Sequence, residues 1–220
     1  MSNSSVRKYE KPTDSQIREA LAPFGITPTG EASEKIRGFI EILSQWNEKI
    51  SLTGMTGVRV ILERHFGESM FAAKAVAVEK GRLADVGSGA GFPGLALKII
   101  RPELRVALIE SNGKKAAFLS EVVRRLGMSG VEVLRCRFEK CFIEEHSLDV
   151  VTSRAVVSGS GLLNWAKDKL NDTGRLVLWT GRASVESICL DRSWAWEEPI
   201  GIPLSRSRVL LVGSALDRES

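Results

Sequence analysis

The sequence predicts an α/β protein: a mostly parallel sheet with helices on both faces and an antiparallel finish, carried behind an N-terminal helical extension. Three observations predict it. Through the first 80 residues the apolar side chains recur at helical spacing. From residue 82 onward, short apolar runs, several of them β-branched, alternate with helical stretches, which is the pattern of a parallel sheet covered on both faces. Between the two regimes, "ADVGSGAGFPG" at 84–94 puts four glycines in eight positions straight after an apolar run. That is the strand-to-helix turn at which open α/β sheets bind nucleotides.

Taken in order, residues 1–12 are polar and poor in apolar side chains, so a disordered leader is expected there. From Thr13, cap-type residues precede Ile17, Leu21 and Phe24 at helical spacing, and Gly25 is the natural stop. In 31–50, Ile36, Phe39, Ile40, Leu43, Trp46 and Ile50 form one stripe of period 3.6, an amphipathic helix that must dock on something. Trp46 belongs to that helix core rather than to a base-stacking platform. The glycine-punctuated loop "SLTGMTG" leads to a third helical stretch, 58–76, with Gly67 a local weak point. Strands are then expected in "RLADVG", "LRVALIE", "VEVLRC", "LDVVTSR" and "GRLVLWTG", separated by helices at 93–100, 114–126 and 160–170. "SWAWEEPI" and "SRSRVLLVG" are joined by only "GIPLS", too short for a helical crossover, so they should pair antiparallel. The organisation is thus a leader over 1–12, a helical extension over 13–80 and a body over 81–215, with extension and body packed as one unit.

Composition narrows the classes. At 220 residues the chain can bury a full core but is short for two α/β domains. No run approaches the roughly 20 apolar residues of a membrane span, and the start lacks the apolar core of a secretory signal, so a cytoplasmic protein is expected. Cys136, Cys141 and Cys189 stand at no disulfide-framework spacing and are expected as core thiols in a reducing compartment. They and His146 are too few and too irregular for zinc, so no metal is expected. Lys plus Arg exceeds Asp plus Glu by 31 to 27, for a net charge of +4, which permits a polyanionic partner without requiring one.

The glycine run is not a Walker A loop, because Leu95 and Ala96 follow Gly94 where lysine and a hydroxyl residue are needed. It does satisfy the dinucleotide fingerprint through Gly89, Gly91 and Gly94, with Glu110 about 20 residues on to accept ribose hydroxyls. A tight turn with a close helix-to-strand contact would use the same glycines. Two details favour S-adenosylmethionine. Asp85 precedes Gly87 at the end of the first strand, where a carboxylate repels pyrophosphate but suits a cofactor carrying ammonium and sulfonium charges. The glycines also let the backbone approach methionine and ribose closely.

The run "LADVGSGAGFPGLALKIIRPELRVALIESNGKKAAFLSEV", with "RFEK" and "TSRAV", closely resembles the bacterial small-subunit ribosomal RNA N7-guanine methyltransferases, also called the glucose-inhibited division protein B family. The resemblance extends from about residue 31 to 212. It implies a Rossmann-like class I S-adenosylmethionine-dependent methyltransferase with seven strands, the last two a reversed hairpin. It implies cofactor contacts at Gly87, Phe92, Phe138, Glu139 and Arg154, beside Asp85, Gly89, Gly91 and Glu110 from the loop and second strand. Arg154 would also position the reaction, and Glu139 would accept from the adenine amine. The chain departs from the family pattern at Ser51-Leu52-Thr53, at His65-Phe66-Gly67-Glu68-Ser69 and at Thr180-Gly181, where the family has N-L-T, H-x-x-D-S and K-G.

The resemblance implies methyl transfer to N7 of a guanine in 16S ribosomal RNA, with the small ribosomal subunit as partner and a monomeric enzyme. Guanine N7 carries a free in-plane lone pair, so no general base is required, and positioning with water exclusion does the work. RNA contacts are expected from Arg59, Arg64, Arg154, Arg182 and Arg206 or Arg208 around the carboxyl edge of the sheet. Two other readings stand beside this one: a non-catalytic, cofactor-binding RNA or ribosome assembly factor, suggested by Thr180, and an NAD-dependent oxidoreductase.

Overall fold

The computed structural model describes residues 11–54, 57–75, 79–154 and 160–216. The leader expected over 1–12 lies outside these residues except for Lys11 and Pro12. Thr13 opens α1 (Asp14–Leu21) with a capping box, its hydroxyl accepting from the Gln16 amide while the Gln16 side chain accepts from the Thr13 amide. A single 3-10 turn follows and ends at Gly25, whose φ of +67° is the left-handed stop the sequence predicts. Thr29 caps α2 (Gly30–Asn47) through the Ala32 amide. The third helical stretch is not uniform: α3 (Val58–Ile61) runs into a π-helical segment, Leu62–Gly67, and then into α4 (Glu68–Ala75). The weak point expected at Gly67 is therefore a widened turn. A Cβ at Gly67 would lie 2.4 Å from the Phe24 ring, so the glycine serves close packing as well.

The body alternates β1 (Gly81–Val86), α5 (Gly94–Ile100), β2 (Leu104–Ile109), α6 (Gly113–Arg125), β3 (Val131–Leu134), β4 (Leu148–Ser153), α7 (Ser160–Lys169), β5 (Leu170–Gly181), α8 (Val185–Cys189), β6 (Trp194–Trp196), β7 (Ile200–Gly201) and β8 (Arg208–Ala215). The strand order is β3-β2-β1-β4-β5-β8-β6, with β7 also on β8. β1 to β5 pair in parallel, and β8 runs antiparallel to β5 with Gly181 opposite Arg208. β6 and β7 are two pieces of one edge, since Trp194–Trp196 pairs with the end of β8 and Ile200–Gly201 with its start. The sheet thus has seven positions and the reversed finish expected. β5 begins four residues earlier than expected, because Leu170 pairs with Leu148 ahead of a register shift.

Alternation along the strands sends side chains into two cores. On one face Leu83, Leu104, Val106, Leu108, Val150, Val177 and Leu210 pack against α5, α6 and the whole helical extension. On the other, Ala84, Val86, Ile109, Val151, Leu176, Leu178 and Leu211 pack against α7 and α8. The α2 stripe docks here as expected: Phe39 stacks on Phe92 at 5.1 Å, with Phe66 and Phe118 against it, and Trp46 packs edge-on to Phe118. This aromatic group ties the extension to the glycine loop itself.

One expectation fails. Cys136 and Cys141 are not core thiols but are joined in a disulfide, with Cα atoms 5.7 Å apart, because a 3-10 turn at Phe138–Lys140 folds the chain back on itself. Cys189 is a half-buried free thiol. Among the described residues no helix is long and apolar enough to cross a membrane.

Candidate functional site

Parallel strands aim their carboxyl ends at one edge, and the strand order reverses between β1 and β4, so the crevice at that point is where the fold places a ligand. The glycine loop leaves β1 there. The Gly87 and Ser88 amides donate to the Ile109 carbonyl at 2.9 and 3.1 Å, and Gly87 takes φ +74°. Gly91 and Gly94 serve packing: a Cβ at Gly91 would lie 2.7 Å from Leu95 and 3.0 Å from Phe39, and one at Gly94 would lie 2.8 Å from the Asp85 carboxylate.

A cavity of about 200 Å³ opens beside the loop, lined by Val86, Gly87, Ile109, Glu110, Ser111, Cys136, Arg137, Phe138 and Glu139. Four predicted cofactor residues from three separate strand ends therefore meet: Gly87 after β1, Glu110 after β2, and Phe138 with Glu139 after β3. Glu110 is held in place by backbone amides. Its Oε2 accepts from the Gly89 amide at 3.0 Å and its Oε1 from the Asn112 amide at 2.7 Å, and it is almost fully buried. Phe138 is braced edge-on against Trp165 at 5.8 Å. Carboxylate, aromatic wall and bare glycine backbone in so small a space fit the ribose and base of a nucleoside.

The other predicted residues stand behind this cavity. Asp85 is fully buried at the end of β1, its Oδ2 accepting from the Gly94 amide and its Oδ1 from the Thr152 hydroxyl, each at 3.0 Å. Burial pushes its carboxyl up to about 6, against the pull of those donors. It fastens the loop to β4 and the start of α5. The Phe92 ring is in the core, between Phe39 and His65. Gly89 and Gly91 shape the turn.

Arg154, at the end of β4, turns toward the helical extension rather than toward the cavity. Its Nη2 donates to the Arg64 carbonyl at 2.6 Å and to Glu68 Oε2 at 3.0 Å, and its Nη1 to Ser69 Oγ at 3.4 Å. Glu68 also binds Arg208, and Arg64 Nε lies 3.3 Å from its Oε1. Burial raises the Glu68 carboxyl, while Arg154, Arg208 and Arg64 pull it back down. Beside them His65 stacks on Phe92 at 4.7 Å, and its Nε2 is 2.9 Å from Thr53 Oγ1. Removal from water, then the charges of Arg154, Arg64 and Arg208, hold the imidazole down to about 3, so it is neutral near pH 7.

Of the remaining RNA candidates, Arg59 is exposed and paired with Glu63 at 2.7 Å, Arg182 is exposed just past β5, and Arg206 is exposed in the turn before β8. Thr180 is buried opposite Val209 and presents no charge at this edge. Sequence reasoning missed Ser111 and Arg137 in the cavity wall, although each adjoins a residue it found, and it read Cys136 only as a core thiol. It also missed Glu68, whose one signal is that it fills the acidic position of the altered H-x-x-D-S motif.

A larger groove of about 740 Å³, lined among others by Arg82, Arg105, Glu132, Phe142 and Ile143, lies toward the amino ends of β1 and β2. It holds none of the predicted site residues and is on the wrong edge for the chemistry of this fold. Among the described residues no group of three or more His, Cys, Asp or Glu side chains is placed to hold a metal ion.

Comparison with solved structures agrees on the fold. A SAM-dependent methyltransferase from Aquifex aeolicus superposes with a TM-score of 0.61 at 16% identity, over 71% of this chain and 93% of that one. A putative S-adenosyl-L-methionine-dependent methyltransferase from Methanococcus maripaludis gives 0.57 at 12% identity, over 82% and 94%. In sequence, the chain is 37% identical over 172 residues to the ribosomal RNA small subunit methyltransferase G of Halorhodospira halophila, covering 78% of this chain and 80% of that protein. It is 38% identical over 181 residues to the protein of the same name from Roseiflexus sp., covering 77% of each. Residues 32–199 match the model of the GidB family, described as rRNA small subunit methyltransferase G, and the chain belongs to that family.

Proposed function

We propose that this protein transfers the methyl group of S-adenosylmethionine to N7 of a guanine in 16S small-subunit ribosomal RNA. The observation that carries the reading is the convergence of Gly87, Glu110, Phe138 and Glu139 on one cavity at the carboxyl edge, in a chain of this family. The residues suit the cofactor. Glu110, oriented by the Gly89 and Asn112 amides, presents its carboxylate to the ribose hydroxyls. Phe138 walls the adenine, and Glu139 accepts from its exocyclic amine. Bound there, S-adenosylmethionine supplies a methyl group on a positively charged sulfur.

The protein's part is positional. Guanine N7 attacks through a lone pair that carries no proton, so no side chain has to remove one, and the neutral His65 is not required as a base. The rate comes from holding the two reactants in line and from excluding water between them. The substrate enters over β4, β5 and β8, where the edge is cationic, with Arg59, Arg182 and Arg206 on its approaches. The work is done in the cytoplasm, on RNA of the small subunit. Incubating the protein with tritiated S-adenosylmethionine and small subunits lacking the modification should place label on one guanine N7. Label on any other atom, or on none, would reject the reading.

A further inference from the structure

The one disulfide among the described residues stands at the nucleoside cavity. Cys136 lines that cavity with Phe138 and Glu139, and its partner Cys141 follows directly on the same 3-10 turn. The bridge therefore brackets the residues proposed to hold the adenine. Inside the turn, the Lys140 amide donates to the Arg137 carbonyl at 2.9 Å and the Cys141 amide to the Phe138 carbonyl at 3.2 Å. Its ties to the body include the Phe138 ring against Trp165, the packing of both cysteines on the core, and the Cys136 amide, which donates to the Leu134 carbonyl at 3.0 Å. The same carbonyl accepts from the Glu110 amide at 3.0 Å, so the bridged turn and the ribose carboxylate hang on one peptide group at the end of β3.

A bridge here does little for the fold as a whole. The two cysteines are 5 positions apart, and a cross-link restrains the unfolded chain less the shorter the loop it closes. Its effect is local. It holds the ends of the turn with Cα atoms 5.7 Å apart and so fixes where Phe138 and Glu139 stand. Both cysteines are only half-buried, so the pair is open to a small reagent. Arg135, Arg137 and Lys140 are exposed in the same segment against the one acid Glu139, a cationic setting that attracts an anionic reagent such as glutathione disulfide. In a reducing compartment, bridges that do form are mostly transient, catalytic or redox-sensing.

We infer that Cys136 and Cys141 are a reversible dithiol–disulfide site that sets the affinity of the cofactor cavity, closed by low-molecular-weight disulfides and opened by low-molecular-weight thiols. One cysteine of the pair, as thiolate, attacks the small disulfide, forming a mixed disulfide and releasing one small thiol. The second cysteine attacks the protein sulfur of that mixed disulfide, forming the Cys136–Cys141 bond and releasing the other. Two electrons and two protons pass from the protein thiols to the two small thiols, and reduction reverses each step. Closed, the turn is arranged before the cofactor arrives; open, binding has to order it. The inference rests on the proposed placing of S-adenosylmethionine in this cavity.

The test uses the full chain equilibrated in glutathione buffers, from fully reduced to fully oxidised. Free thiols are counted by alkylation and intact mass, and S-adenosylmethionine affinity is measured by calorimetry. The oxidised protein should keep one free thiol, Cys189, and bind the cofactor about tenfold more tightly than the reduced protein, the effect of ordering one or two side chains in advance. Binding and reduction are linked, so saturating cofactor should lower the midpoint potential of the pair by about 30 mV, which is that tenfold for a two-electron couple. Cys141→Ser, altered at a position that does not line the cavity, should bind as the reduced wild type does in both buffers; if it does not fold, the two states of the wild type decide alone. Equal affinity in the two states, tighter binding by the reduced form, or a bridge that never closes in excess glutathione disulfide would overturn the inference. Gly87→Asp separates it from the reading beneath it. Loss of cofactor binding in that variant, with no redox response in the wild type, would reject the redox site alone. Normal cofactor binding by Gly87→Asp would reject the pocket, and the redox site with it.

Discussion

Over β1, β2 and β3 the carboxyl edge is made of glycine backbone and carboxylates: Gly87 and Gly89, with Glu110 and Glu139 around a cavity of about 200 Å³. Over β4, β5 and β8 it is made of guanidinium groups gathered on a single acid. The first half is local, since each residue lies within a few positions of a strand end and Glu110 is held by the Gly89 and Asn112 amides. The second is assembled by docking, since Arg64 and Glu68 come from the extension while Arg154 and Arg208 come from strands about 85 to 145 residues away along the chain. The contrast is one of charge and of construction: the acidic half is built from strand ends, the cationic half from the meeting of extension and sheet.

The largest effect expected follows from removing the acid that holds the cationic half together. Glu68→Ala leaves three guanidiniums facing one another, with the Asp85 carboxylate near Arg154 as the remaining counter-charge. Breaking a buried pair costs about 3–5 kcal/mol, and the partial exposure of these arginines reduces that to roughly 2–3 kcal/mol. Thermal unfolding should register a fall of roughly 5–10 °C. If the halves are as separate as they look, the surviving folded protein binds cofactor normally; a parallel loss of cofactor affinity would show them to be one unit.

The converse experiment enters the acidic half. Gly87 has φ +74° and lines the cavity. Aspartate is among the residues that tolerate a left-handed backbone, so Gly87→Asp should fold at a cost of about 1 kcal/mol while its side chain fills the nucleoside space. Cofactor affinity by calorimetry should drop at least about 100-fold, roughly 2.7 kcal/mol, with RNA binding retained. Affinity close to wild type would remove Gly87 from the cofactor wall.

This division also explains what the sequence could disclose. The acidic half was legible because glycine spacing and a carboxylate about 20 residues on are offsets along a βα unit, and because the family resemblance marks Phe138 and Glu139 after the third strand. The stripe on α2 was legible from its period, and the antiparallel finish from the shortness of "GIPLS". The cationic half was not. Arg64, Arg154 and Arg208 each stood out as candidates, but nothing along the chain says that one buried glutamate collects all three, because that depends on where the extension docks. The π-turn announced itself only as a glycine in a helix. The Cys136–Cys141 bridge was missed since a spacing of five means nothing until the turn at Phe138–Lys140 brings the two Cα atoms together.

His65 lies where the halves meet, stacked on Phe92 of the glycine loop and pushed by the three arginines, and it offers the smallest and most specific test. In the unfolded chain its imidazole takes a proton near 6.5, whereas in the fold it stays neutral down to about 3. Between those values the unfolded state binds the extra proton, so the stability this group contributes is fully present above about 6.5 and is lost as pH falls toward 3. Asp85 works in the opposite sense. Its carboxyl sits at about 6 in the fold against 3.8 outside it, so between 3.8 and 6 the folded state holds the extra proton, and acidification stabilises. The two contributions oppose each other from about pH 6 to pH 4. His65→Gln keeps a polar group for Thr53 and removes one titration. Urea unfolding from pH 7 to pH 4 should then show the variant gaining on the wild type by about 1.4 kcal/mol per pH unit below pH 6, with Asp85 no longer offset. Parallel curves would mean that the imidazole titrates normally in the fold, so that neither its burial nor the nearby arginines hold it neutral.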